Sequence, residues 1–227
     1  MARKIFYMIR HGETVLNAQH IRQGSEGPLS DLGINQSIVT GKRLSKMRFD
    51  AIICSPYQRT VETAKLVVEQ LKYKKEIEYS NLLVERKNPS EIIGKSAELP
   101  EVAHIVDIID KSFHDNDYRY SDEENFNDLK TRAGYLLKYL SKRPERKILI
   151  ITHSIFLKMV AAYIEKGEKL TAKQYNLFSY MNTSNNASIT ICEYNSGWLG
   201  DGIIGRYFYP LEKRWRLVAW DDYYRGN

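Results

Sequence analysis

Cys54 and Cys192 are the only two cysteines in a chain of 227 residues. Two thiols so far apart provide neither a disulfide framework nor the close spacing of a thiolate metal site. Cys54 lies inside the apolar run Ala51-Ile52-Ile53-Cys54, which predicts a buried thiol rather than a reactive one. Such sparing use of cysteine fits a reducing compartment, and a cytoplasmic location is the expectation. Long apolar runs are missing too. Behind Arg3 and Lys4 the first apolar stretch is cut by Arg10, which leaves it too short for a signal peptide or a membrane span. No internal repeat, no low-complexity linker and no cluster with metal-ligand spacing occurs. No metal and no cofactor is therefore expected. Acidic residues are the minority charge, 28 against 34 basic ones, for a formal charge of +6. That balance tilts towards anionic partners such as phosphorylated metabolites, phosphoproteins or nucleic acid; the plainer reading is a solvated basic surface.

What is present is an alternation of apolar runs and amphipathic stretches. Ile5-Phe6-Tyr7-Met8-Ile9 reads as a buried strand that ends in Arg10-His11-Gly12. A polar loop over residues 17–27 follows, with turns at Gly24 and Gly27, and Ser30 caps a helix whose apolar side is Ile34, Ile38 and Leu44. Residues 51–54 repeat the strand logic, Ser55-Pro56 breaks it, and the next helix begins near Arg59. Residues 77–84 can supply a further strand that ends at Glu85-Arg86-Lys87. Residues 88–122 are the least regular part and read as an insert packed over the top of the domain, where selectivity often resides. A long helix over about 122–140 carries the stripe Phe126, Leu129, Ala133, Leu136, Leu137 and Leu140. Ile148-Leu149-Ile150-Ile151-Thr152-His153-Ser154 is a second apolar strand ending in a histidine, and another helix follows it. Strands over 188–194 and 215–220 flank a loop marked by Gly197, Gly200, Gly202 and Gly205. The expected fold is α/β in three layers: a mostly parallel central sheet, helices on both faces, and an insert over the carboxyl ends of the strands. One catalytic domain over residues 1–227, with a cap-like insert at about 88–122, accounts for the whole chain.

Three strand ends present Arg10-His11, Arg59 and His153. Carboxyl ends of strands in open α/β sheets are where ligands bind, and a helix N-terminus there favours anions. Taken singly, each residue has a plain role as a core histidine or a surface ion-pair partner. Together, two guanidinium groups and two imidazoles suit a phosphoryl group, because arginine forks match its oxygens and a histidine nitrogen can attack phosphorus. His20, His104 and His114 lack that context and read as surface or insert residues.

Arg10-His11-Gly12-Glu13-Thr14 followed by Asn17 resembles the signature of the histidine phosphatase (phosphoglycerate mutase-like) superfamily. Further segments resemble that family in the same order: Gln23-Gly24 with Pro28-Leu29-Ser30, Ser55-Pro56-Tyr57-Gln58-Arg59-Thr60, Thr152-His153-Ser154, and Asn186-Ala187-Ser188. Ser154 departs from the family's usual glycine. The resemblance implies that His11 is the nucleophile, that Arg10, Arg59 and His153 hold the phosphoryl oxygens, and that Asn17, Gln23, Gly24 and Ser154 contact the substrate. It also implies an acid for the leaving group on the segment after the second arginine. Glu85 matches best, Glu91 is the competitor, and the signature gives Glu13 a structural role.

The expected activity is a metal-independent phosphatase acting on a phosphorylated small molecule or a phosphoprotein, with no nucleic acid and no membrane involved. A cofactor-dependent phosphoglycerate mutase-type phosphotransferase is the alternative. A third reading, from another class, is a non-catalytic phosphoprotein- or nucleic-acid-binding module. Lys72, Lys74 and Lys75, or the basic and aromatic cluster Arg206, Tyr207, Tyr209, Lys213, Arg214, Trp215 and Arg216, would then contact phosphates and bases. The intact catalytic set and the lack of a nucleic-acid motif weigh against it. The substrate itself and the oligomeric state are not legible.

Overall fold

The computed structural model describes residues 3–112, 115, 117–195 and 215–222. Within them the chain forms β1 (Arg3–Arg10), α1 (Val15–Ala18), α2 (Asp31–Leu44), β2 (Ala51–Cys54), α3 (Gln58–Gln70) and β3 (Ile77–Tyr79). There follow α4 (Pro100–Ser112), α5 (Phe126–Lys142), β4 (Lys147–Thr152), α6 (Ser154–Lys166), α7 (Ala172–Met181), β5 (Ile189–Asn195) and β6 (Trp215–Asp222). The six strands make one sheet in the order β3-β2-β4-β1-β5-β6. β1, β2, β3 and β4 run parallel, while β5 is antiparallel to both of its neighbours.

The apolar runs are continuous because the central strands are buried on both faces. Alternation along each strand sorts the side chains between two cores. Phe6, Met8, Ala51, Ile53, Ile148 and Ile150 pack against α5 and α6. Ile9, Ile52, Cys54, Leu149 and Ile151 pack on the opposite face, against α2 and α3. The stripe read on α5 is the buried one, Phe126, Leu129, Ala133, Leu136, Leu137 and Leu140. Full burial of each such leucine contributes roughly 1.5–3 kcal/mol. Both cysteines are buried, and burial pushes each thiol up to about 12. Among the described residues no helix is long and apolar enough to cross a membrane.

Three local expectations change. The strand expected over 77–84 stops at Tyr79, and a 3₁₀ turn, Asn81–Leu83, takes its place. Ser30 does cap α2, its hydroxyl accepting from Gly33 N–H, but the buried face of that helix is Gly33, Ser37, Thr40, Gly41 and Leu44. Ile34 is 38% exposed. The reason is closeness: a methyl group on Gly33 would lie 1.9 Å from Glu13 O, so the loop after β1 sits on helix backbone and leaves no room for larger side chains. The third change is α7 (Ala172–Met181), a helix with only a weakly apolar stripe that periodicity does not single out. Its N-cap Thr171 forms a reciprocal capping box with Gln174.

The insert has a small core of its own, in which Ile92, Val102, Ile105 and Ile109 from the 3₁₀ turn Ser90–Ile92 and α4 pack together. It is strapped to the loop after β1 by backbone bonds from Arg22 N to Lys95 O, Gly94 N to Arg22 O and Ala97 N to His20 O. That places it beside the carboxyl end of β1. The glycine-marked loop at 197–205, the basic and aromatic residues 206–214, and His114 lie outside the described residues. Of that cluster, Trp215 is buried against Phe6 and Tyr194, and Arg216 pairs with Glu193 at 2.6 Å.

Candidate active site

β1 and β4 are adjacent, and α2 and α6, which follow them, cover opposite faces of the sheet. The chain therefore opens a crevice at their carboxyl ends. The register pairs Arg10 with Thr152, so His11 and His153 leave neighbouring strands at the same level. His11 N–H donates to Thr152 O at 3.0 Å, and the two imidazole centroids stand 5.2 Å apart. Both rings are buried.

Hydrogen bonds settle both tautomers. His11 Nδ1 lies 2.7 Å from Gly12 O. A carbonyl only accepts, so Nδ1 carries the proton and Nε2 keeps its lone pair. For His153 the logic runs the other way. Arg59 Nε donates to His153 Nδ1 at 3.2 Å, and a guanidinium only donates. The proton is thus on Nε2, which donates to Ser55 Oγ at 2.8 Å. Burial first, then the Arg59 charge, holds both histidines well below their ordinary range; Arg10 adds to the effect at His11 and the neighbouring imidazole does so at His153. Both rings are neutral.

Arg59 enters from the first turn of α3, is 3% exposed, and donates from Nη1 to Gly24 O at 2.8 Å. Arg10 donates from Nη1 to Ser184 O, and its buried Nε has no acceptor among the described residues. Burial lowers the pKa of both guanidinium groups, and the charge of Glu85 opposes that at each. Arg59 is buried and Arg10 half-buried, and the one carboxylate does not balance two cations. The site is thus one that gains from an arriving dianion.

Glu85 does not stand at a strand end, because β3 ends six residues earlier at Tyr79. It reaches the site through the 3₁₀ turn, and its carboxylate accepts from Arg86 N at 2.9 Å, Phe156 N at 3.0 Å and Ile155 N at 3.2 Å. Those last two amides belong to the first turn of α6, directly after His153. Glu91, by contrast, is exposed in the turn Ser90–Ile92. Glu13 accepts from Ser30 Oγ at 2.8 Å and ties the loop to α2.

The remaining candidates fall into two groups. Asn17 forms a capping box with Thr14, its carboxamide oxygen accepting from Thr14 N at 3.3 Å, which leaves the amide NH₂ as the group able to donate. Ser154 opens α6 at the rim of the site. Gln23 accepts from Thr14 Oγ1 at 3.0 Å, and Gly24 offers its carbonyl to Arg59, so both shape the site from outside the histidine pair. They line a cavity of about 150 Å³ together with Tyr57, Glu85, Arg86 and Ser90.

Three participants were missed as functional residues. Ser55 follows β2 directly, so the strand-end rule that selects His11 and His153 also selects it. Lys158 lies one helical turn beyond Ser154, donates to Ser179 O at 2.9 Å, and sits in the field of Arg10 and Glu85. Arg132 of α5 donates to Val84 O at 2.7 Å, Leu82 O at 3.3 Å and Glu85 O at 3.4 Å. Nothing in its local sequence distinguishes it from an exposed helical arginine. Among the described residues no group of three or more His, Cys, Asp or Glu is placed to hold a metal ion.

The chain resembles proteins that handle phosphate esters. Fructose-2,6-bisphosphatase TIGAR of Xenopus tropicalis is 36% identical over 91 residues, which are 38% of this chain and 33% of that one. GpmB of Yersinia pestis, named for phosphoglycerate mutase activity, is 39% identical over 64 residues, 28% of this chain and 30% of the relative. The matched stretches thus span about a third of these relatives' own lengths. Among solved structures, the α-ribazole phosphatase of Shigella flexneri superposes with a TM-score of 0.71 at 21% identity, covering 98% of this chain and 100% of the other. A mycobacterial glucosyl-3-phosphoglycerate phosphatase gives 0.70 at 21% identity, with 98% and 100% covered. At these identities the structural likeness speaks for the fold. The family model of the histidine phosphatase superfamily (branch 1) matches residues 6–198, and with that match over most of its length the chain belongs to this superfamily of phosphatases and mutases.

Proposed function

We propose that the chain is a phosphatase that hydrolyses a phosphomonoester through a phosphohistidine on His11. The observation that carries this reading is the bond from His11 Nδ1–H to Gly12 O, which leaves a neutral ring with its Nε2 lone pair beside two guanidinium groups. Nε2 attacks phosphorus in line and the phosphorus–oxygen bond to the leaving group breaks. Arg10 and Arg59 stabilise the equatorial oxygens. Glu85 takes the proton of the substrate's phosphate monoanion and passes it to the departing alkoxide. The carboxylate so formed takes a proton from water, which attacks phosphorus, and His11 Nε2 leaves with its lone pair. The products are an alcohol and inorganic phosphate, and the positive charge comes from the protein's own arginines.

The likeness to GpmB favours a second reading, transfer to another acceptor instead of water. One experiment separates the readings. The protein is mixed with a ³²P-labelled aryl phosphate in the presence of a chelator and quenched after milliseconds. The phosphatase reading expects an acid-labile, alkali-stable label on His11, release of free phosphate without a bisphosphoglycerate primer, and loss of both in His11→Ala. Turnover that persists in His11→Ala sinks the covalent route. Turnover that demands the primer selects the mutase.

A further inference from the structure

The cavity of about 150 Å³ beside the histidine pair is lined by Glu85, the proposed acid, so the atoms beyond the ester oxygen enter it. Tyr57 and Ile93 line it too. Tyr57 is the N-cap residue of α3 and is half-buried. Its ring stands edge-on to His153, with centroids 5.2 Å apart and planes at 65°, and the Arg59 guanidinium lies over it, 5.1 Å from the centroid. The backbone beneath the ring is fixed as well. Tyr57 N–H donates to Ser55 Oγ at 3.4 Å, and its carbonyl accepts from Thr60 N and Val61 N, both at 3.0 Å. The ring is therefore held against two of the groups assigned to the phosphoryl oxygens, and it also faces the space where the leaving group goes.

Ile93 follows the 3₁₀ turn Ser90–Ile92 of the insert and is exposed. A methyl group on Gly24 would lie 3.3 Å from Ile93 Cγ2, so the insert and the loop after β1 close that side of the cavity. The polar groups around it are engaged elsewhere. Gln23 Oε1 accepts from Thr14 Oγ1, Lys87 pairs with Asp122 at 2.9 Å, and Ser90 N–H donates to the same carboxylate at 2.8 Å. Arg86 has a partner as well. What faces a ligand is an aromatic ring and an aliphatic side chain. A cavity of about 150 Å³ with apolar walls takes a single benzene ring.

We propose that Tyr57 and Ile93 form the leaving-group subsite, so that the preferred substrates are phosphomonoesters with an aromatic ring next to the ester oxygen, packed on Tyr57. The assignment rests on the phosphatase reading above and names the substrate class for that same site. Contact between two aromatic rings adds to plain area burial, by roughly 3- to 10-fold in affinity. A saturated ring of the same carbon count is thicker and gains no such contact. It is the more apolar of the two, so burial alone would favour it, and a preference for the flat ring reports the contact with Tyr57.

The test measures binding, so that it does not depend on turnover. Benzylphosphonate and cyclohexylmethylphosphonate carry a methylene where the ester oxygen would be. They are titrated calorimetrically into the wild-type protein at one pH, with methylphosphonate as the ringless reference. The benzyl compound is expected to bind roughly 3- to 10-fold more tightly than the cyclohexyl one. Tyr57→Leu should bring that ratio to within about twofold, and Tyr57→Phe, which keeps the ring, should retain it. Loss of the contact with Arg59 in Tyr57→Leu weakens all three phosphonates alike, so the ratio does not register it. Ile93→Trp, which fills the cavity, should weaken benzylphosphonate relative to methylphosphonate by at least about fivefold. Tyr135→Leu, which removes an exposed ring on α5, should leave the ratio where it was. The proposal is overturned if the wild type binds the two ring compounds equally, if Tyr57→Leu keeps the preference, or if Ile93→Trp leaves benzylphosphonate as tight relative to methylphosphonate as before. Ile93→Trp decides the matter even where Tyr57→Leu does not fold. Failure to label His11 would fall on the phosphatase reading instead, and the binding ratios would still decide the cavity.

Discussion

In the proposed mechanism His11 attacks with one nitrogen because the other is already held. Gly12 O fixes the proton on Nδ1, and Asn186 Nδ2 donates to His11 O at 3.1 Å, so both the tautomer and the backbone carrying it are set before substrate arrives. His153 depends on a less obvious partner. Ser55 is wholly buried, and its hydroxyl is the acceptor for His153 Nε2–H. Removing that hydroxyl leaves a buried donor unsatisfied, which costs about 1–3 kcal/mol, and frees the ring to turn. Ser55→Ala is therefore expected to lower kcat/KM on an aryl phosphate by roughly 10- to 100-fold. Ser55→Thr, which keeps the hydroxyl, should recover much of the loss. Steady-state kinetics and a thermal melt of the two variants check this. An alanine variant as active as the wild type would show that the bond to His153 is idle. The carboxyl ends of β1 and β4 put the histidines in view from sequence alone. Ser55 stands at a third such end, but a serine before a proline reads first as a strand breaker, so its sequence context does not mark it.

At the scale of elements, α6 and the 82–85 segment form one device. The first turn of α6 follows His153, and its amides at Ile155 and Phe156 hold the carboxylate of Glu85. The backbone of that segment is clasped by side chains from elsewhere: Thr152 Oγ1 donates to Leu83 O at 2.8 Å, and Arg132 takes the carbonyls of Leu82, Val84 and Glu85. Arg132 is itself fixed by Glu124 at 2.7 Å and lies over the Phe156 ring, 4.0 Å from its centroid. In the proposed mechanism it is a positioning residue for the acid. Arg132→Met keeps the contact with Phe156 but releases the carbonyls. Because an acid matters most when the leaving group is poor, kcat on an alkyl phosphate should fall about 10- to 100-fold while 4-nitrophenyl phosphate changes by less than about threefold. Arg132→Lys should not restore it, since one ammonium cannot reach three carbonyls in a fork. Equal losses on both substrates would mean general damage instead of acid placement. This device was largely hidden in the sequence. The resemblance points to Glu85 at the end of an expected strand, but that strand ends at Tyr79, and Arg132 lies 47 residues downstream of Glu85 with no motif around it. Periodicity reports which face of α5 is apolar, not which of its polar residues reaches across. The same limit applies to α2, where the face packed on the loop is made of Gly33, Ser37, Thr40 and Gly41, and hydrophobic spacing pointed at Ile34.

The whole molecule stores charge near its centre, and that sets its response to pH. The sheet's two cores leave His11 and His153 buried in the same crevice as Arg10 and Arg59, and both imidazoles are held well below the ordinary value of 6.5. In the unfolded chain they titrate normally. Above about pH 7 neither state binds a proton at these sites and they impose no slope on stability. Below about pH 6.5 the unfolded chain takes up protons that the folded chain refuses, so the equilibrium shifts towards unfolding as pH falls. The slope approaches about 1.4 kcal/mol per pH unit for each histidine, about 2.7 for the pair, until the depressed folded values are reached. Urea unfolding at pH 7.5, 6.5 and 5.5 is the measurement. The wild type should lose stability across the lower interval and change much less across the upper one. In His11→Asn the loss between pH 6.5 and 5.5 should be about halved, because only His153 remains to link folding to protons. Saturating inorganic phosphate should also shrink the slope, since an oxyanion between Arg10 and Arg59 opposes their effect on the rings. A wild-type stability that does not move between pH 6.5 and 5.5 would mean that the histidines are charged in the folded protein, and the neutral nucleophile on which the proposed chemistry depends would fall with it.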